Sequence, residues 1–253
     1  MQPLLKVQAL NKQIAVRSGF LRRKKVTLLK DISFCIGLGE TLAVIGETGA
    51  GKSTLAKVLA GADSASSGQV LLESEVIKDG DKQFLDSRNI RLIFQDPTTS
   101  LNPALTIEEI LDDCLRFNTE LSAPDRLEKI KQTLTKVGLL VEHRHYYPHM
   151  FSGGQLQRVA LARALILDPK VLVLDEALSS LDPSVRAQTV NLLLDLQRET
   201  GLSYVLITHH LSLVKHMSDQ VLVLDHGEIV EYGNTKDIFC NPQSKTCQRL
   251  LTC

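Results

Sequence analysis

The sequence TLAVIGETGAGKST, residues 41–54, decides the fold. Its first five residues, Thr41–Ile45, are largely apolar and have the length of a buried strand. The pattern GxxxxGK[ST] follows at 46–53, and a helix is expected to begin near Gly51 and to end before Gly61. A strand, a glycine-rich loop and a helix in this order predict an α/β fold whose loop binds phosphate groups at a helix N-terminus.

The residue types in this loop suit a nucleoside triphosphate. Glycines allow successive backbone N–H groups to converge on phosphate oxygens, Lys52 adds a point charge, and Ser53 offers a hydroxyl to Mg²⁺. Taken alone, the loop could also be a chance glycine-rich turn. The predicted nucleotide-binding residues, the phosphate loop of this article, are Gly46, Glu47, Thr48, Gly49, Ala50, Gly51, Lys52, Ser53 and Thr54.

An acidic pair follows a second apolar run. Val171–Leu174 reads as a buried strand and is followed by Asp175 and Glu176. Because α/β proteins bind ligands at the carboxyl edge of the sheet, Asp175 is a candidate Mg²⁺ ligand and Glu176 a candidate general base for the attacking water. The alternative is an ordinary strand end with a helix-capping acidic pair.

A third stretch, Phe151–Gln155, reads Phe-Ser-Gly-Gly-Gln and precedes a helix predicted over Gln155–Leu167. The positive end of that helix and its free N–H groups can face a phosphate. A simple Gly-Gly loop is the alternative. We call this the signature segment; its candidate residues are Ser152, Gly153, Gly154 and Gln155.

In chain order, the phosphate loop, the signature segment and the acidic pair resemble the ATP-binding-cassette (ABC) ATPases. Further points of resemblance are Gln95, which follows a predicted strand, the stretch Ser179-Ser180-Leu181-Asp182, and His209 after Ser203–Ile207. The resemblance implies that paired cassettes sandwich ATP, with each signature segment facing the partner's phosphate. It also implies that Ser180, Leu181 and Asp182 form the D-loop, which crosses between the two cassettes.

The resemblance also assigns roles at the site. It implies that Glu176, His209 and Gln95 are catalytic, that His209 contacts the γ-phosphate, and that Ser53, Gln95 and Asp175 hold Mg²⁺. ATP and Mg²⁺ are the implied cofactors. The family has an aromatic residue that stacks on adenine where this chain has Ile14, and Phe20 is a possible substitute.

Composition limits the partners and the cellular location that can be expected for this chain. Lys plus Arg and Asp plus Glu number 29 each in 253 residues, so net charge gives no reason to expect nucleic-acid binding. No apolar run reaches the length of a transmembrane helix, and Met1–Leu4 opens no signal peptide. The five cysteines lack zinc-type spacing and are expected to be free thiols. We therefore expect the chain to work in the cytoplasm and to reach a membrane only through partners.

The resemblance implies one ABC ATPase domain, 1–253, and periodicity predicts a helical insert within it at about 96–165. The core is a mainly parallel sheet with a separate antiparallel β-layer. The layer is predicted at Leu4–Leu10, Asp31–Ile36 and Val70–Glu73, and further core strands at Ile90–Phe94, Lys170–Leu174 and Ser203–Ile207. Predicted helices cover Thr106–Asn118, Pro124–Val137 and a segment from Asp182 to Gly201, before a hairpin of Val221–Leu224 with Glu228–Val230.

Other motifs indicate a branch of the family. Residues 95–97 (Gln-Asp-Pro), 100–103 (Ser-Leu-Asn-Pro), 147–149 (Tyr-Pro-His) and 241–243 (Asn-Pro-Gln) resemble the oligopeptide, dipeptide and nickel importer group. Within it, 146–150 resembles the Sap-type branch, which is linked to peptide transport and antimicrobial-peptide resistance.

This branch implies a set of partners. They are a second ATPase subunit (a copy or a paralogue), two integral membrane permease subunits and a periplasmic substrate-binding protein, with this chain at the cytoplasmic face of a bacterial inner membrane. Two alternatives stay open: another small cationic cargo such as nickel or a polyamine, or a soluble ABC ATPase outside transport.

Overall fold

A computed structural model describes residues 2–17, 23–83, 88–94, 101–179 and 181–252. Within these residues the core is a six-stranded sheet in the order β11-β10-β3-β9-β8-β7. Its strands are parallel except β11, which pairs antiparallel with β10. The strands are β3 (Thr41–Ile45), β7 (Ile90–Ile93), β8 (Val171–Asp175), β9 (Ser203–Ile207), β10 (Gln220–Asp225) and β11 (Glu228–Asn234). The predicted parallel core and terminal hairpin are confirmed.

A second, antiparallel sheet lies beside the core in the order β2-β1-β4-β5-β6. The predicted β-layer is confirmed, but its first two strands are much longer than predicted. Alternation of apolar residues stops near Leu10, whereas pairing continues along a ribbon in which Gln13–Val16 are exposed. Backbone pairing without burial leaves no hydrophobic period to detect. The strands are β1 (Leu5–Arg17), β2 (Arg23–Ile36), β4 (Ser67–Leu72), β5 (Glu75–Asp79) and β6 (Lys82–Gln83).

Helices cover the core sheet. The Asp182 carboxylate accepts hydrogen bonds from the backbone N–H groups of Ser184 and Val185 at the start of α5, which ends at the left-handed Gly201, as predicted. These helices are α1 (Lys52–Leu59), α5 (Pro183–Thr200), α6 (Leu211–Met217), α7 (Thr235–Cys240) and α8 (Lys245–Thr252). The last three, which are six to eight residues long, were not predicted.

The regular structure described between β7 and β8 is helical. It comprises α2 (Ile107–Asn118), α3 (Ala123–Lys136) and α4 (Gly153–Leu165), with short 3-10 turns before α4. The α4 boundaries differ from the prediction of Gln155–Leu167. Ser152 is the N-cap, so the two glycines form the first turn of the helix. Apolar residues of these helices pack with Leu172 and Leu174 in one core, so the helical segment is fused to the sheet.

In the described part of the chain no helix is both long enough and apolar enough to cross a membrane. The four cysteines that the structure describes are all unpaired thiols, and Cys253 lies outside the described residues.

Candidate active site

A cavity of about 540 Å³ opens at the carboxyl ends of β3, β8 and β9. Parallel strands end at one edge of the sheet, so segments far apart in sequence meet there. Six phosphate-loop residues line the cavity, together with the candidate base and the candidate γ-phosphate contact. The described lining residues are Leu28, Thr48, Gly49, Gly51, Lys52, Ser53, Thr54, Glu176, Ile207 and His209.

Close backbone packing shapes the phosphate loop. A Cβ at Gly46 would lie 2.1 Å from the Leu224 carbonyl oxygen, and one at Gly51 would lie 2.8 Å from the Leu28 carbonyl oxygen. Both glycines have positive φ, 155° and 107°, which other residues rarely adopt. The loop therefore requires glycine at these two positions.

The remaining loop residues differ in their surroundings. Lys52 Nζ donates to the backbone oxygens of Gly46 (2.7 Å) and Glu47 (2.9 Å), and burial lowers the pKa of Lys52. Ala50 is buried. The Glu47 carboxylate lies 3.1 Å from the Arg249 guanidinium of α8. Gly46, Glu47 and Ala50 are not among the described lining residues of the cavity.

Two of the candidate Mg²⁺ ligands are in contact. Ser53 Oγ donates a 3.1 Å hydrogen bond to Asp175 Oδ1. Asp175 is only 7% exposed, and this burial raises the pKa of Asp175. One hydroxyl and one carboxylate fit Mg²⁺, which typically uses one or two protein oxygens and completes its shell with phosphate and water. Across the described ranges no cluster of three or more His, Cys, Asp or Glu is placed to hold a metal by itself.

Glu176 is held on both of its carboxylate oxygens. Oε1 lies 3.0 Å from His209 Nδ1, and Oε2 accepts a hydrogen bond from the Ser179 hydroxyl. The Glu176 backbone has φ +53°, a left-handed conformation that is uncommon for residues other than glycine. Two candidate catalytic residues, predicted from separate strands, therefore share a direct contact at the cavity.

The signature segment lies elsewhere. Ser152 and Gln155 form a capping box: Ser152 Oγ accepts from Gln155 N, and Gln155 Oε1 accepts from Ser152 N at 3.0 Å. None of the described residues lining the cavity belongs to this segment. A Cβ at Gly153 would meet nothing within 4 Å, whereas one at Gly154 would lie 2.8 Å from Val185 Cγ1. Gly154 therefore serves packing within the chain, and Gly153 faces open space.

The other predicted residues are placed as follows. Asp182 caps α5, and the Leu181 carbonyl oxygen accepts a 2.8 Å hydrogen bond from Arg186. Ile14 is 37% exposed on the β1–β2 ribbon and does not belong to the described cavity lining. Gln95, Ser180 and Phe20 lie outside the described residues.

Some residues around the site were not predicted. Arg186 and Gln157 donate to backbone oxygens of the segment after Glu176, and the His210 ring lies 4.2 Å from the His209 ring, centroid to centroid. Burial, with His209 and the positively charged Arg186 as neighbours, lowers the pKa of His210. An arginine four residues after a capping aspartate gives no sequence signal for such a role.

Comparisons with known proteins bear on the family. A family model described as ABC transporter matches residues 29–179. SapF of Escherichia coli K12, named a putrescine export system ATP-binding protein, is 50% identical over 250 residues that cover 99% of this chain and 93% of SapF. At the same identity and coverage, SapF of Escherichia coli O6:H1 is named a peptide transport system ATP-binding protein. The dipeptide transport ATP-binding protein DppF of Haemophilus influenzae is 46% identical, covering 99% of this chain and 77% of DppF.

A solved structure agrees with these relatives. The ATP-binding cassette MJ0796, in a dimeric post-hydrolysis state bound to ADP and Pi, has a TM-score of 0.77 to this chain at 26% identity, covering 91% of this chain and 98% of that one. The α/β cassette fold and the resemblance to Sap-type and dipeptide transport subunits are thus confirmed. Because the family model spans more than half of the chain and close relatives cover nearly all of it, the chain belongs to the ABC transporter family, as an ATP-binding and ATP-hydrolysing subunit.

Proposed function

We propose that the cavity of this chain binds ATP with Mg²⁺ and that Glu176 is the general base. The convergence of Lys52, Ser53, Glu176 and His209 on one cavity supports the proposal most directly. In it, Lys52 and the loop N–H groups bind the β- and γ-phosphates, and Ser53 and Asp175 would hold Mg²⁺. Mg²⁺ would neutralise charge that develops on the phosphates. Gln95 joins these residues as a proposed Mg²⁺ and water contact on the family resemblance alone.

Glu176 is placed to accept a proton from water, and His209 to keep it oriented. The 3.0 Å contact between Glu176 Oε1 and His209 Nδ1 restricts rotation of the carboxylate, and His209 also borders the cavity. A positioned carboxylate within reach of the attacking water is what general-base catalysis requires. His209 can in turn contact the terminal phosphate of bound ATP.

We further propose that each site is completed by the signature segment of a second cassette. The N-terminus of α4 presents Ser152 and Gly153 at the surface, and Gly153 has no neighbour that a side chain would meet. An exposed helix N-terminus with a glycine at its first position can accept a phosphate group. The dimeric state reported for MJ0796 agrees with such an arrangement.

The transport role proposed here is to energise peptide movement across a bacterial inner membrane from its cytoplasmic face. Two of the relatives are named for peptide or dipeptide transport. A polyamine is the second candidate cargo, because the K12 relative is named for putrescine export. The proposed partners are a second ATPase subunit, two permease subunits and a periplasmic substrate-binding protein.

The helical segment is the proposed docking surface for the permeases. Three large apolar side chains are exposed just before α4, and we call them the apolar patch. They are Tyr146, Tyr147 and Met150, which are 38%, 39% and 53% exposed. The patch adjoins the start of α2, because Ile107 N donates to the Tyr146 carbonyl oxygen. Exposed apolar residues that cluster in this way are typical of an interaction surface.

Replacement of the base tests the assignment at the cavity. Glu176→Gln is expected to keep ATP binding and to lower steady-state hydrolysis by about 10²–10⁴-fold, because an amide cannot take up the proton. Nucleotide titration and phosphate release measure the two quantities. Hydrolysis near the wild-type rate would show that Glu176 is not the base.

Gly153→Asp separates the role of the signature segment from stability. We expect unchanged or slightly higher stability, by about 0.3–1 kcal/mol, because an acidic residue suits a helix N-terminus. We expect hydrolysis to be lost, because the new carboxylate repels the partner's phosphate. Ala123→Asp, at the exposed start of α3, is the matched control and should hydrolyse normally. Wild-type hydrolysis by Gly153→Asp would contradict the two-chain site.

Cargo identity can be tested on the reconstituted complex with its permeases and binding protein. A mixture of short peptides is expected to increase ATP hydrolysis, and putrescine is expected to leave it unchanged. Stimulation by putrescine alone would replace peptide with polyamine as the cargo.

The docking surface can be tested with Tyr147→Ser combined with Met150→Ser. We expect loss of permease co-purification and of cargo-stimulated hydrolysis, with hydrolysis by the isolated subunit within about twofold of wild type because the patch lies outside the cavity. Leu38→Ser, at a residue 71% exposed between β2 and β3, is the control. Asn102→Cys should also cross-link to cytoplasmic loops of the permeases. Normal co-purification and coupling in the double variant would exclude the patch as the docking surface.

A further inference from the structure

The segment that follows Glu176 is held by side chains from two helices. Arg186 on α5 donates from Nε to the Leu178 carbonyl oxygen (3.1 Å), and from Nη2 to those of Ser179 (3.3 Å) and Leu181 (2.8 Å). Gln157, 2% exposed on α4, donates to the Ala177 carbonyl oxygen at 3.0 Å. Backbone oxygens outside regular structure need such partners when they lose water.

Arginine is suited to this arrangement. Its guanidinium is planar, always charged and carries five donors in a fixed fork, so one side chain can fix three carbonyl oxygens relative to one another. Lysine offers a single ammonium group on a flexible chain and cannot reproduce that geometry. The three contacts therefore fix the carbonyl oxygens of Leu178, Ser179 and Leu181 relative to one another, and not only their attachment to α5.

One of the three residues that Arg186 holds, Ser179, is bonded to the candidate base Glu176. Ser179 N donates to the Glu176 carbonyl oxygen at 3.1 Å, and the Ser179 hydroxyl donates to Glu176 Oε2. The same Ser179 carbonyl oxygen is one of the three that Arg186 holds. A displacement of this loop would thus move the hydroxyl that orients one carboxylate oxygen, while His209 orients the other.

His210 lies next to His209, the other residue that orients the Glu176 carboxylate. Its backbone N–H donates to Thr208 Oγ1 at 3.1 Å, and its ring lies against the His209 ring. Burial and the nearby Arg186 charge lower the pKa of His210, which favours a neutral ring beside the guanidinium.

We propose that Arg186 is a positioning residue for ATP hydrolysis: through the Ser179 backbone it fixes the Ser179 hydroxyl, and through that hydroxyl the carboxylate of Glu176. The proposal rests on the proposed role of Glu176 as the base. It assigns Arg186 no contact with ATP, since Arg186 is not among the described residues that line the cavity. The loss of Arg186 should therefore change the rate of the chemical step and not the affinity for nucleotide.

Arg186→Met and Arg186→Lys test the proposal in the full-length chain. We expect kcat to fall by about 10- to 100-fold in Arg186→Met, as small misplacements of catalytic groups do, with KM for ATP within about twofold. Arg186→Lys should recover only part of the loss. Arg198→Met is the matched control: Arg198 lies on the same helix and, within the described part of the chain, contacts its own helix at Asp195 and the Leu194 carbonyl oxygen. It should keep wild-type kcat.

A double-mutant cycle with Ser179→Ala distinguishes positioning of Glu176 through Ser179 from a general contribution of Arg186 to the stability of the fold. If Arg186 acts through Ser179, Arg186→Met in the Ser179→Ala background should lower kcat little further. Multiplicative losses, an unchanged kcat with a lower melting temperature, or full recovery by lysine would overturn the proposal. Should Arg186→Met fail to fold, the same criteria apply to Arg186→Lys.

Glu176→Gln in the same assay distinguishes a failure of the proposed base from a failure of the Arg186 proposal. An active Glu176→Gln enzyme would remove the proposed base, and with it the role of Arg186. An inactive Glu176→Gln enzyme beside Arg186 variants of wild-type kcat would overturn the Arg186 proposal alone.

Discussion

The hydrogen bond between the Ser53 hydroxyl and Asp175 joins residues 122 positions apart in sequence, and the rest of the site is arranged around it. It forms because β3 and β8 both run parallel to β9, which lies between them, so their carboxyl ends reach the same edge of the sheet. A buried carboxylate at that edge is costly unless it has a polar partner or a cation. The Ser53 hydroxyl supplies the partner, and a hydroxyl and carboxylate this close form a pair that suits Mg²⁺.

The signature segment contributes to the fold of this chain and also presents an exposed surface. Ser152 and Gln155 satisfy each other in a capping box, so the start of α4 is ordered without any second chain. Gly154 is fixed by its approach to Val185, but nothing contacts the position that a Gly153 side chain would occupy. The start of α4 is therefore ordered by contacts within this chain and exposed at the surface. It does not belong to the described lining of the cavity in the same chain.

Sequence alone predicted the elements whose chemistry is local. The phosphate loop follows from its glycine spacing, and the strand before Asp175 follows from four apolar residues. The extent of β1 and β2 could not be predicted, because exposed ribbon residues such as Gln13 and Val16 carry no burial pattern. The start of α4 was wrong by two residues because Gly153 and Gly154 are poor helix formers that a capped first turn accepts. Backbone pairing sets the first feature and a local capping box the second.

The contacts of Arg186 and Gln157 were beyond sequence reasoning for a different reason. Both residues bind backbone oxygens, which every residue has, so the identity of their partners leaves no pattern in the sequence. Only the folded path of the loop makes those oxygens converge. That path begins at Glu176, whose left-handed backbone turns the chain out of β8 at the point where the carboxylate must face the cavity. Such a conformation persists only when its surroundings hold it. The side chains of Arg186, Gln157 and His209 belong to those surroundings, so the geometry of the base depends on α4, on α5 and on the segment that follows β9.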